Sequence, residues 1–282
     1  MKAEGSKNRV PVALLVMVDG AAGAGKSETI KILKETVELI LQRKKNNDVG
    51  GESTVCPHIL LCAPTGTAAV NIKGQTLHSA FGFTFGDDHY SLSDNVRDTK
   101  RATFKNLRFL IIDEVSMVKV GFIAITLVSR TILTNYFQAD QLYQLDLRLR
   151  EVMMKPDKNF GGVAIFLFGD IMQLFPVRGK PIWTQPRSAE YHQAFAFSSH
   201  WESFQTVSLV ENHRQEADAA FADLLNRVRI GEQTPDDLEC LMKRVRKTGH
   251  PDLKGAMVIA STHKVNFYSH THAEHLFYVE RW

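Results

Sequence analysis

Gly20–Ser27 reads GAAGAGKS and follows the apolar run Val12–Val18. It satisfies the phosphate-binding pattern G-x-x-x-x-G-K-[ST] at every fixed position. The physics behind the pattern is local. A buried strand ends, a glycine-rich turn leaves successive backbone N–H groups free, and a helix starts with the positive end of its dipole facing the turn. Such a nest holds a triphosphate, here with Gly20, Gly23, Ala24, Gly25, Lys26, Ser27 and Glu28 as its cradle. Lys26 is placed to reach the β- and γ-phosphate oxygens, and the Ser27 hydroxyl to ligate Mg²⁺. Composition alone would produce the pattern in roughly one chain in a hundred of this length. An ordinary glycine turn is the competing interpretation, and the helix-forming SETIKILKETVELILQ that follows disfavours it.

Beyond the loop, short apolar runs recur at Val12–Val18, Ile59–Cys62, Phe109–Ile112, Val163–Phe168, Thr206–Val210 and Met257–Ala260. Their apolarity is continuous rather than alternating, which predicts strands covered on both faces and therefore a parallel α/β sheet flanked by helices. Ligands of such sheets sit at the carboxyl ends of the strands. Asn46–Ser53 reads as a connecting loop and Gly82–Thr99 as a surface excursion between strands.

The chain has 282 residues, 44% hydrophobic and 23% charged, with a net charge of +3, as in an ordinary globular protein. Mild basicity permits a nucleic-acid partner without demanding one. Cys56, Cys62 and Cys240 have no zinc-ligand spacing and read as reduced thiols. His263, His270, His272 and His275 lack cysteine or carboxylate partners at ligand spacing. Met1–Arg9 is polar and no small-residue cleavage site follows the first apolar run, so no secretory leader is expected. No uncharged run approaches bilayer length, and a soluble protein is expected.

Further motifs fall directly after the predicted strands. Asp113 and Glu114 close the run Phe109–Ile112, the arrangement in which an aspartate holds Mg²⁺ and a glutamate polarises the attacking water. Ala63–Ala69 reads APTGTAA and Gly74–Ser79 reads GQTLHS. Small and hydroxyl residues there leave N–H groups open to a phosphodiester, while His78, Phe81, Phe83 and Phe85 offer rings to bases or to the core. Gln173 lies on the loop after the fourth run, where it can report a γ-phosphate, and Arg214 follows the fifth, where it can neutralise charge.

Taken in order, GAAGAGKS, APTGTAA, GQTLHSAF, LIIDEVSM, FGGVAIFLFGDIMQLFPV and LVENHRQ resemble the PIF-one-like DNA helicases of superfamily one B, including relatives carried by Helitron transposons. The resemblance covers about Val12 to Leu276. It implies a RecA-like first motor domain, ATP and Mg²⁺ as cofactors, single-stranded DNA and duplex junctions as partners, and 5′-to-3′ translocation. Roles in DNA repair, recombination and telomere maintenance, and nuclear or mitochondrial placement, come with it. Lys26, Ser27, Asp113, Glu114, Gln173 and Arg214 match the family's ATP residues, with Ser27 and Asp113 on the metal. Thr65, Thr67, His78 and Phe81 match its DNA contacts. The domain organisation implied is a tail over 1–10, a first motor domain over 11–250 with a small inserted subdomain at 82–103, and the beginning of a second over 251–282.

Three departures stand out. The family's QLPPV reads Gln173-Leu174-Phe175-Pro176-Val177 here. Only an opening strand and helix of the second motor domain is expected, in Met257–His275, and no adenine-recognition segment is evident upstream of the loop. Val120–Gln138 has no family counterpart, and its removal restores the family pattern, as a retained intron or a genuine surface insertion would. A remnant that binds nucleotide without turnover is therefore the rival reading. A phosphate-loop ATPase indifferent to DNA is disfavoured by APTGTAA with GQTLHS.

Overall fold

In the computed structural model, the residues described are 13–47, 57–83, 92–115, 139–173, 182, 200–213 and 218–245. Among these residues six strands make one parallel sheet: β1 Leu15–Gly20, β2 Ile59–Ala63, β3 Gln75–Thr76, β4 Phe109–Ile112, β5 Ala164–Gly169 and β6 Gln205–Leu209. Their spatial order is β3-β2-β4-β5-β1-β6. β5 thus lies between the strand before the glycine-rich loop and the strand before Asp113. This ordering sets three strand-end loops side by side at one rim of the sheet.

The predicted two-sided cover is present. On one face Leu15, Met17, Leu60, Leu110, Ile112, Ile165 and Leu167 form a core with residues of α3 (Leu77–Phe81), α4 (Asp94–Phe104) and α5 (Ala139–Val152). On the other, Val16, Val18, Leu61, Ile111 and Phe168 meet Ile30 of α1 (Lys26–Asn47) and Ala68 and Ala69 of α2 (Gly66–Asn71). Successive strand residues point to opposite faces, so a central strand buried on both must be apolar at every step.

Five of the six predicted strands are seen, and Met257–Ala260 lies outside the described residues. β1 starts three residues later than the apolar run and extends through Asp19 and Gly20. The extra strand, β3, is two residues long and lies inside GQTLHS, too short for any periodicity to mark. α4 begins inside the expected surface excursion and continues beyond it to Phe104, a mostly exposed helix anchored by buried Phe104 against Phe81 with ring centroids 5.5 Å apart. The segment 120–138 also lies outside the described residues.

A buried polar network braces the helix that follows. Asp146, fully buried on α5, accepts from Arg150 Nε at 2.8 Å and from the Phe160 N–H. Arg150 also donates to the Pro156 carbonyl at 2.6 Å and to Asn159 Oδ1 at 2.7 Å. The turn so held delivers the chain into β5.

The chain divides into two units, Met1–Glu216 and Ala217–Trp282. In the second, α6 (Ala219–Ile230) ends at Gly231 in the left-handed conformation, and α7 (Pro235–Met242) opens with a Thr234–Asp237 capping box. Arg227 grips Asp237 with two bonds of 2.7 Å, which holds the Asp237 carboxyl far below its usual range. Among the described residues, no helix is long and apolar enough to cross a membrane.

Candidate functional site

The loop after β1 has the backbone its glycines require. Gly23 and Gly25 take φ of +90° and +84°, which side chains resist. At Gly20 a Cβ would stand 3.1 Å from the Cβ atoms of both Ala24 and Leu209, so the loop turns hard against the end of β6. Lys26 at the head of α1 folds back across the loop, and Nζ donates to the carbonyls of Gly20 at 2.6 Å and Ala21 at 3.1 Å. The ammonium is thereby held over the nest. Ser27 and Glu28 are exposed, and the Glu28 carboxylate faces Lys31 at 3.3 Å.

Asp113 leaves β4 beside this loop. Its N–H donates to the Cys62 carbonyl at 3.0 Å, and its Oδ1 accepts the Glu114 N–H at 2.9 Å. Burial, with 6% of its surface exposed, raises its pKa, while the Glu114 N–H and the Lys26 charge oppose the shift. Glu114, half-buried, takes φ of +59°, unusual for a residue with a side chain. Val115 then donates to the Phe168 carbonyl at 3.0 Å, pinning the acidic turn to the end of β5.

After β5 the turn Asp170–Gln173 is held N–H by N–H. Ile171 donates to Asp19 Oδ1 at 2.9 Å, Met172 to Asp170 Oδ1 at 3.1 Å and Gln173 to the Asp170 carbonyl at 3.1 Å. The structure therefore brings Lys26, Asp113, Glu114 and Gln173 to the adjacent ends of β1, β4 and β5. A cation, two acids and an amide around a nest of N–H groups suit a polyphosphate with a divalent metal. The donor set fits Mg²⁺ at Asp113 and Ser27, both hard oxygen ligands. Arg214 lies outside the described residues.

The expected DNA residues separate on inspection. Thr67 is exposed in the first turn of α2. Thr65 caps that helix, its hydroxyl accepting the Ala68 N–H at 3.3 Å. His78 lies edge-on to Phe83 with centroids 6.0 Å apart, and burial lowers its pKa, favouring the neutral imidazole. Phe81 requires correction. It has 0% exposure and packs against Phe83 and Phe104 in the core, so it offers no face to a base. In α4, Arg97 and Arg101 pair with Asp94 and Asp98, and Lys100 donates to the Ser79 carbonyl at 3.0 Å.

Two residues at the site carried no assigned role in the sequence reading. Asp19 holds the Gln173 turn, and the His213 N–H donates to the Gly23 carbonyl at 3.0 Å. Both stand beside motif residues, but only strand order reveals what they touch.

Residues 10–238 match the family described as PIF1-like helicase. The chain is 30% identical over 251 residues to the ATP-dependent DNA helicase PIF5 of Trypanosoma brucei brucei, covering 81% of this chain and 23% of that one. Bacteroides Pif1 bound to single-stranded DNA superposes with a TM-score of 0.59 at 28% identity, over 91% of this chain and 51% of that one. Bacteroides sp. Pif1 in complex with ADP-AlF4 gives 0.53 at 29% identity, over 83% and 46%. The chain spans about a quarter of the length of the curated relatives it matches and about half of the solved ones. The match over most of the sequence, on a RecA-like sheet whose strand ends carry the nucleotide motifs, means that this chain belongs to the PIF1-like helicase family.

Proposed function

We propose that this chain is the first motor domain of an ATP-dependent DNA helicase that moves 5′ to 3′ along one strand. The observation that carries the reading is the gathering of Lys26, Asp113, Glu114 and Gln173 around one glycine-rich nest. In this reading the loop N–H groups and Lys26 bind and orient the triphosphate. Glu114 accepts the proton of the attacking water, and the Gln173 amide reads the γ-phosphate. Lys26, with Arg214, balances charge on the transferring phosphoryl group. Ser27 and Asp113 would hold Mg²⁺, which when bound neutralises phosphate charge.

Single-stranded DNA is assigned to the rim formed by the ends of β2 and β3, where Thr67 is exposed and His78 stands neutral and half-buried. Two structures of Bacteroides Pif1 solved with single-stranded DNA support that class of partner. This reading includes nuclear placement, with mitochondrial placement as its alternative, on the family resemblance alone.

Steady-state ATPase of the purified chain, with and without single-stranded DNA and beside Lys26→Ala, tests the reading. DNA-stimulated turnover that the variant lacks is expected. Turnover indifferent to DNA would remove the helicase reading. Nucleotide binding without turnover would instead mark a chain that keeps the nest but not the reaction.

A further inference from the structure

We propose that Asp19 is a positioning residue, whose carboxylate fixes the turn presenting Gln173 and ties that turn to the root of the phosphate loop. The inference rests on the ATPase reading above and extends it to a residue outside its motifs. Asp19 is the fifth residue of β1, paired in register with Gly169 of β5 on one side and Ser208 of β6 on the other. Strand alternation puts its side chain on the face of Leu15 and Met17, at the rim where β5 ends.

From there Oδ1 accepts the Ile171 N–H at 2.9 Å. The next two N–H groups, of Met172 and Gln173, are taken by Asp170 through Oδ1 and its carbonyl. Three successive donors are thus satisfied, and only the first bond leaves the turn for another strand. One residue beyond Asp19, the Gly20 carbonyl receives Lys26 Nζ at 2.6 Å. Lys26 and the turn that carries Gln173 therefore hang from neighbouring residues of one strand. A shift of the turn would move the amide relative to the ammonium, and small misplacements of such groups cost large factors in rate.

The function needs an acceptor oxygen at this position and not a charge. Asp19→Asn keeps the acceptor, whereas Asp19→Ala and the near-isosteric Asp19→Leu remove it. All three are made in the full chain, with circular dichroism melting to confirm folding. In the acceptor-less variants DNA-stimulated kcat is expected to fall roughly tenfold, with KM for ATP changed by less than about twofold. Asp19→Asn should restore kcat. Adding Asp19→Leu to Gln173→Ala should cost nothing more, because both act through one group.

Hydrogen exchange gives a readout independent of turnover. The Ile171–Gln173 amides should lose protection in Asp19→Leu and keep it in Asp19→Asn. Equal losses in the Asn and Leu variants, full additivity with Gln173→Ala, or unchanged protection would each overturn the proposal. A wild-type chain without turnover would overturn the ATPase reading, and exchange would then decide alone whether Asp19 holds the turn.

Discussion

The His213 N–H reaches the Gly23 carbonyl at 3.0 Å and so fastens the exit of β6 onto the phosphate loop. The His213 ring lies over the same loop, its Cδ2 3.8 Å from the position a Cβ on Gly25 would take. There is room for a methyl group at Gly25, so the obstacle to one is the backbone, at φ +84°. Gly25→Ala is expected to cost about 1–2 kcal/mol of left-handed strain. Paired melting and fluorescent-ADP titration should show weaker nucleotide binding beyond the loss of stability.

Asp113 gives a pH dependence with a definite sign. Burial raises its carboxyl above the ordinary 3.8, so the folded chain holds that proton more tightly than the unfolded one. Stability from this group therefore falls as pH rises from the ordinary value through the raised one. Asp113→Asn keeps an acceptor for the Glu114 N–H and removes the buried charge. It should melt at or above wild type at neutral pH, with the margin shrinking on acidification, while Mg²⁺-dependent turnover falls roughly a hundredfold or more.

Asp146 is a position where a single change should hurt the fold strongly. It is fully buried and serves both Arg150 and the Phe160 N–H, while Phe160 takes a left-handed φ of +50°. Asp146→Ala leaves the guanidinium and an N–H without that acceptor, and should cost about 3–5 kcal/mol in urea unfolding.

Phe81 and Thr67 make a contrasting pair. Phe81→Ala opens a cavity in the core and should cost about 3–5 kcal/mol. The fraction that stays folded should bind single-stranded DNA as wild type does. Thr67→Ala, on an exposed turn, should shift stability by less than about 0.5 kcal/mol and weaken DNA binding. Fluorescence anisotropy at a temperature where both variants are folded separates the two effects.

The site was legible where chemistry is written in consecutive residues. GAAGAGKS and the Asp113–Glu114 pair announce themselves because a nest and a strand-end acid depend on local backbone, and continuous apolar runs marked five strands because burial on both faces is written into consecutive residues. Residues that work across strands were not legible. Asp19 and Ile171 are far apart in sequence and meet only because β5 lies beside β1. The Asp146 network likewise exists only once α5 and the following turn have packed. Phe81 was misread because an aromatic after a hydroxyl-rich turn looks the same in sequence whether its ring faces bases or Phe104.

The strand order also bears on how the protein is made. Among the described strands β1 comes first in the chain, yet both of its neighbours in the sheet, β5 and β6, come after the other three. Until Ala164–Gly169 has been made, Leu15–Gly20 lacks both of the strands it pairs with among the described residues, and until Leu209 has been made it lacks one. Loop closure over such separations is slow, and an apolar strand waiting for it is exposed to aggregation. Nucleotide competence should therefore arise late in synthesis, and nascent chains stalled before Gln205 should be clients for chaperones that shield unpaired strands.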